Sequence, residues 1–276
     1  MWVRKAHPLL RVAGQLFRFR GLLATLTARE LKARYRGSVL GFLWSLANPL
    51  LLLAVYTFVF SVVFQPRVAG ADPYALFVVS GLFPWIWLST SALEGSMSLI
   101  ANGGLIRKAV FPAELLPMVT VLSNLVHLLL ALPVILVAVA SSWLLTDHGV
   151  GGLSVVLLPA IILLHLPMIS GFALGVSALT VHFKDVRDLL ANLLTLMFFL
   201  TPILYPLESI QHIRPVWWVV RLNPFTPFTL AYQEVLFQGR WPTSDLWLQM
   251  ALVSAAFWLL GTWLFERLRE TLVEAV

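Results

Sequence analysis

The chain has 276 residues, 59% of them hydrophobic and only 12% charged, with a mean hydropathy of +0.88. A soluble domain carries about 25% charged residues, so this chain has too little polar surface to be wetted on all sides, and the remaining apolar surface must face lipid. Cysteine is absent, which excludes disulfides, thiolate metal sites and a cysteine nucleophile.

Residues 1–36 are rich in arginine and hold no early apolar run ending in a small-residue cleavage site, which argues against a cleaved signal peptide. Leu16, Phe19, Leu23 and Leu26 recur at helical spacing, while Arg29, Lys32 and Arg36 form a basic stripe. This pattern predicts an amphipathic helix over 16–37, lying in the cytoplasmic interface with its arginines at phosphate height. Within it, Thr27-Ala-Arg-Glu30 reads as a capping box, and Gly37 as the residue that ends the helix.

Six windows without Asp, Glu, Lys or Arg follow, at 37–66, 73–93, 115–146, 148–183, 189–207 and 246–265. About 20 apolar residues cross a hydrocarbon core, so the expected fold is a single all-α membrane domain of six spans. Their bounds are about 39–64, 74–97, 116–143, 153–181, 189–206 and 246–265. The region 207–244 is rich in Pro, Trp and Phe, with too few uncharged residues between Arg221 and Glu234 to span; it is expected to form short re-entrant helices near the outer surface. Of the 19 Lys and Arg, fifteen fall on the side of the N-terminus and four (Arg67, Arg214, Arg221, Arg240) on the other. The positive-inside rule then puts both termini in the cytoplasm. Anionic inner-leaflet lipid accounts for the basic balance, so nucleic acid need not be invoked.

Two cytoplasmic loops stand out. Residues 99–113 have a polar centre from Asn102 to Lys108 closed by Pro112, which suits a short helix with Leu105, Ile106 and Phe111 free to plug a partner's groove. Residues 181–188 are short and zwitterionic. In the fourth span, Gly171-x-x-x-Gly175 marks close packing against another helix.

The chemistry is sparse. No Gly-Lys-Ser or Gly-Lys-Thr exists, so the chain has no P-loop. The six histidines lack His-x-x-x-His spacing, which argues against a metal site. His127 and His165 fall inside spans, where an ionisable group is a functional candidate, although neutral imidazole can simply hydrogen-bond across helices. Glu94, near a cytoplasmic end, is the exception to a lack of carboxylates in the spans, which points to an external energy source rather than proton coupling. Aromatics are abundant instead. Tyr56, Phe60 and Phe64 repeat every four residues, Trp85 and Trp87 follow Pro84, and Phe198, Phe199 and Tyr205 sit in the fifth span. Such rings pack on the C–H faces of sugars, or else face lipid.

The run from Arg29 through Arg34, Arg36 and Trp44 to Asn48-Pro49 resembles the permease of polysaccharide ABC exporters, the Wzm-type family of O-antigen export with relatives for teichoic acid and capsule. The likeness continues in order through Ser80-Gly-Leu-Phe-Pro-Trp85, Asn102–Pro112, Phe183-Lys-Asp-Val-Arg187, Thr201-Pro-Ile-Leu-Tyr205 and Asn223-Pro224. It implies a channel built from two copies of this chain in the bacterial inner membrane, with two separate ABC ATPase subunits docked below. ATP and Mg would be held by those subunits, leaving this chain without a cofactor and without enzymatic activity. It also implies that 99–113 and 181–188 touch the ATPase. The coupling candidates are therefore Asn102, Arg107, Lys108, Phe111, Pro112, Lys184, Asp185 and Arg187. The cargo would be a lipid-pyrophosphate-linked glycan, its head group entering beside Arg29, Lys32, Arg34 and Arg36 and its sugars passing Tyr56, Phe60, Phe64, Trp85, Trp87, Phe198 and Tyr205. A permease for a small amphiphile is the nearest alternative. A membrane glycosyltransferase would need paired carboxylates or a metal site, and Asp72, Asp147, Glu208, Glu234 and Asp245 are not clustered in sequence.

Overall fold

A computed structural model describes residues 8–39, 41–59, 63, 71, 73–108, 111–145 and 151–275. The described residues form the helices α1 (Pro8–Arg18), α2 (Arg20–Arg34), α3 (Trp44–Phe58), α4 (Tyr74–Ala101), α5 (Gly103–Lys108), α6 (Leu115–Leu145), α7 (Leu158–His182), α8 (Val186–Leu200), α9 (Arg214–Leu222), α10 (Thr226–Gln233) and α11 (Ser244–Ala275). No strand occurs among them. A π-helical turn, Glu234–Gln238, continues α10 and ends at Gly239, which adopts a left-handed φ of 65°.

Among the described residues, four helical stretches are long and apolar enough to cross a membrane: Tyr74–Ala101, Leu115–Ser142, Leu153–His182 and Ser244–Arg269. They occupy the windows read as the second, third, fourth and sixth spans, and the protein is a multi-pass membrane protein. α4 and α7 form the centre. Phe77, Val78, Leu88, Ala92 and Leu99 of α4 are buried and that helix is enclosed nearly all round, whereas α7 is enclosed over its C-terminal half, with Met168, Ile169, Ala173 and Leu174 buried, and exposes Leu163 nearer its start. α11 instead exposes Leu248, Leu252, Leu259, Leu260 and Trp263 along one side while burying Met250, Gly261 and Phe265. That exposed stripe suits hydrocarbon.

Contacts fix the relative directions. Ser254 Oγ donates to Leu164 O (2.6 Å), Gly171 packs on Phe257 and Trp258, and Gly175 on Gly261 and Leu264. The register rises together, so α7 and α11 run parallel. Trp87 packs on His165 (5.1 Å) and Gly95 faces Ala173, so α4 runs parallel to α7 as well. The chain between α7 and α11 must therefore return to the end where α7 began. It does: α8 starts just beyond His182, whereas Phe237 O accepts from Gly151 N (2.7 Å) and Val235 O from Ser154 Oγ (3.0 Å), beside the start of α7.

Several expectations need correction. The N-terminal region is two helices, not one over 16–37, with a break at Phe19 (φ −100°, ψ 22°). α1 is tied to α11 through Arg11 and Glu266 (3.4 Å), while α2 is tied to α4 and α6, so the two halves follow different partners. Thr27 is inside α2, not at its start, and its hydroxyl donates back to Leu23 O (2.8 Å). The helix ends at Arg34, and Gly37 takes a left-handed φ of 79° as the chain turns away. In the fifth window the helix covers only Val186–Leu200 and stops before Thr201-Pro202, shorter than 189–206 requires. Of the first window the described helix is Trp44–Phe58.

Candidate functional site

Because α4, α7 and α11 point the same way, their C-terminal ends gather at one end of the bundle. α1 and the start of α6 join them there, as Glu114 approaches Arg269 (3.8 Å). This end therefore carries α5, the α7–α8 turn and the exit of α2. The two loops expected to meet a partner lie on the same face of the molecule, although 80 residues apart in sequence.

The individual residues differ in availability. Asn102 ends α4, its side-chain amide donating to Ser98 O (2.9 Å), and its carbonyl starts α5. Arg107 and Lys108 lie at the end of α5. Ile106 is buried, and Leu105 and Phe111 are half-buried against the core, so these side chains are not free plugs as expected: α5 is amphipathic and spends its apolar side on its own bundle. Pro112 is buried too, whereas Lys184, Asp185 and Arg187 are exposed. Glu114, directly after this segment, is fully buried, and among the described residues its carboxylate has only the long contact to Arg269 and no hydrogen bond. Nothing in the sequence separated it from a surface glutamate.

On the flank of the bundle, α4 and α8 enclose a groove of about 390 Å³ lined by Trp85, Ser89, Thr195, Phe198 and Phe199, among others. The Trp85 ring lies 6.0 Å from Phe198 and, edge-on, 5.6 Å from Phe225 of the α9–α10 junction. Phe199 packs edge-on against Phe198 (5.2 Å) and is mostly exposed. This is an aromatic wall with hydroxyls beside it. The other expected aromatics do not join it. Trp87 turns the opposite way, fully buried, with its indole N–H donating to Val121 O (3.1 Å). Tyr205 is half-buried and donates to Phe199 O (3.1 Å). Tyr56 is half-buried against the core from α3. Phe60 and Phe64 lie outside the described residues.

The basic stripe of α2 is divided. Arg29, Lys32 and Arg36 are exposed. Arg34 instead reaches across to α4 and α6, donating to Glu94 Oε2 (2.7 Å) and Asn124 Oδ1 (3.1 Å), while Asn124 Nδ2 donates to the same Glu94 oxygen (2.9 Å). Beside it the Tyr35 hydroxyl and His127 Nε2 are in hydrogen-bond contact (2.9 Å). A carboxylate in an otherwise uncharged span is a cue that a cation lies near; the sequence flagged Glu94 without naming its partner. His165 is buried, stacked on Phe228 at 4.3 Å.

Residues 21–237 match the model of the family described as ABC-2 type transporter. The chain is 38% identical over 269 residues to the O-antigen export system permease protein RfbA of Myxococcus xanthus, covering 97% of this chain and all of that protein. Two Klebsiella pneumoniae proteins of the same description are 33% and 32% identical over 225 residues, covering 79% of this chain and 81% of theirs.

Proposed function

The chain belongs to the ABC-2 type transporter family, and on that premise we propose that it is the membrane subunit through which an ABC exporter passes a lipid-linked, O-antigen-like polysaccharide across the bacterial inner membrane. The observation that carries this reading is the 38% identity with an O-antigen export permease along nearly the whole of both chains. Two copies pair to form the conduit. Energy comes from two separate ATPase subunits, which hold ATP and Mg and dock on the end that carries α5 and the α7–α8 turn. Having both loops at one end favours a single docking face. Asn102, Arg107, Lys108, Lys184, Asp185 and Arg187 would contact the ATPase there, while Phe111 and Pro112 hold α5 to the bundle.

Six crossings, with both termini in the cytoplasm, complete the topology. The parallel run of α7 and α11 supports this count, because 183–243 must return across the height of α7 to join them. The return is made by α8 and the shorter re-entrant helices. Arg29, Lys32 and Arg36 offer exposed cations to the pyrophosphate, and Arg34 would have to exchange Glu94 for it. The α4–α8 groove offers Trp85, Phe198 and Phe199 to sugar rings. Rings on such a wall bind through dispersion and C–H contacts that are individually weak, which suits a polymer that has to keep moving.

Co-expression of the chain with the ATPase encoded beside it, in a host deleted for its own O-antigen permease, tests the reading by immunoblot of surface polysaccharide. Polysaccharide should reach the surface, and should stay inside when the ATPase P-loop lysine is replaced. Export that persists without any ATPase, or none when both proteins are inserted and associated, would overturn it.

A further inference from the structure

The end of α2, with α3, α4 and α6, encloses a second cavity of about 630 Å³. Small-molecule pockets run from about 300 to 1,000 Å³, so the volume is that of a binding site rather than a packing defect. Arg34, Tyr35, Asn124 and His127 line one end of it, and most of the remaining wall is apolar, including Leu52, Val55, Phe83, Ile86 and Leu128. Leu51 and Val55 of α3 are more than half exposed, so the cavity opens past α3 at the side of the bundle. A long apolar wall ending in a polar cluster is complementary to an amphiphile.

The charge of that cluster selects the head group. Arg34 and Glu94 are 2.7 Å apart and cancel, and Asn124 bridges them from both sides, accepting from the arginine and donating to the glutamate. An entering phosphate or carboxylate would find its cation already matched and an anion behind it. Anion sites rely on an uncompensated cation, and the arginine here is already matched by Glu94. What it does present are neutral groups of mixed character: an amide, a phenol and an imidazole. These suit a head that both donates and accepts.

We propose that this cavity binds a single-chain amphiphile whose head is an uncharged hydroxyl or amide, the chain running along Leu52, Val55, Ile86 and Leu128 and the head meeting Asn124 and His127. The site is separate from the α4–α8 groove and from Arg29, Lys32 and Arg36, shares Arg34 with the proposed head-group entrance, and stands whether or not the chain exports a glycan. An occupant would brace α3 against α4 and α6 beside the Arg34–Glu94 contact.

The full-length protein in lipid nanodiscs tests this with a long-chain alcohol carrying a mid-chain diazirine, compared with the matching carboxylic acid and phosphate monoester. After photolysis, peptide mass spectrometry reads the labelled segments. The alcohol should label peptides holding 48–55 and 124–131 in preference to the two anionic probes. Val55→Trp, at an exposed lining position, and Ala131→Phe, which fills the cavity, should each cut that labelling at least about fivefold, equivalent to roughly 1 kcal/mol of binding. Labelling of the lipid-facing α11 peptide around Leu252 should not change. Equal or stronger labelling by either anionic probe, or labelling undiminished in Val55→Trp, would overturn the assignment. Val55→Trp does not depend on repacking the core, so misfolding of Ala131→Phe alone leaves the test decisive. Lost export with intact cavity labelling would count against the export reading only.

Discussion

Replacing Gly171 by alanine should loosen α11 from α7, and replacing Gly175, one turn along the same face, should not. A Cβ on Gly171 would stand 2.6 Å from Trp258 Cα and nearer still to the Phe257 carbonyl. Side-chain Cβ atoms essentially never come within 3.0 Å of such neighbours, and both obstacles are backbone, so no rotamer change relieves the clash. The helices must part or slide by several tenths of an ångström. A Cβ on Gly175 would meet Gly261 Cα at 3.5 Å and Leu264 Cδ2 at 3.7 Å, which is ordinary contact. Overpacking costs about 1–3 kcal/mol, and a shift of two whole helices belongs at the upper end. Gly171→Ala should therefore cost about 2–3 kcal/mol, while Gly175→Ala should stay within about 0.5 kcal/mol. For a chain of this size each kcal/mol moves the melting temperature by about 2–4 °C, giving a drop of about 4–12 °C for Gly171→Ala. Thermal melting of the detergent-solubilised protein, followed by gel filtration with intrinsic tryptophan detection, reads both variants. Melting temperatures within about 1 °C of each other would refute the packing argument.

The Arg34–Glu94 pair is solvent-accessible on both partners, so a double-mutant cycle with Arg34→Ala and Glu94→Ala should return a coupling below about 1 kcal/mol in thermal stability; a value above about 2 would mean the pair is far better shielded than it looks. Trp85→Ala with Phe198→Ala should slow polysaccharide export more than Trp87→Phe does, because the first pair strips the α4–α8 groove and the second side chain faces the interior; export rates in the reverse order would move the path elsewhere. Burial raises the pKa of Glu234 above the ordinary carboxylate range, with Arg240 pulling it back and Glu208 adding to the rise. A raised folded value favours the protonated acid, so this contribution to stability is full at low pH and is lost as pH climbs through that value. Glu234→Gln should therefore raise the melting temperature at pH 8 and leave it unchanged near pH 4; the same gain at both would remove the carboxylate as its cause.

Exclusion of charge from hydrocarbon is a strong constraint that acts on each segment alone, which is why the windows around α4, α6, α7 and α11 could be read from composition. Features that depend on which segments meet could not. The continuous apolar spacing of Leu16, Phe19, Leu23 and Leu26 gives no sign of the break at Phe19, because the break comes from α1 following α11 while α2 follows α6. Glu94 was conspicuous, but its partner Arg34 lies sixty residues earlier, and pairing between segments is not encoded in spacing. The division of Trp85 from Trp87 was within reach: residues two apart on a helix point to nearly opposite sides, so one could face the α8 groove only if the other faced the interior.

The fifth window shows how topology overrides a local reading. Its charge-free length satisfied the rule for a full span, yet the helix runs only Val186–Leu200. Fifteen residues rise about 22 Å, short of a hydrocarbon core near 30 Å. The parallel packing of α7 and α11 nonetheless obliges this stretch to carry the chain back along the whole of α7. On the proposed six-crossing topology, the shortfall is met beyond Thr201-Pro202. There Gln233 Nε2 of α10 donates to Pro202 O (2.9 Å) and Asn223 Nδ2 to the Thr201 hydroxyl (3.0 Å), so the broken end of α8 is hydrogen-bonded by the segment that follows it. Backbone freed from a helix is tolerated at membrane depth only where protein satisfies it. The side chains of Asn223 and Gln233, isolated and polar in an aromatic region, are what allow the short helix.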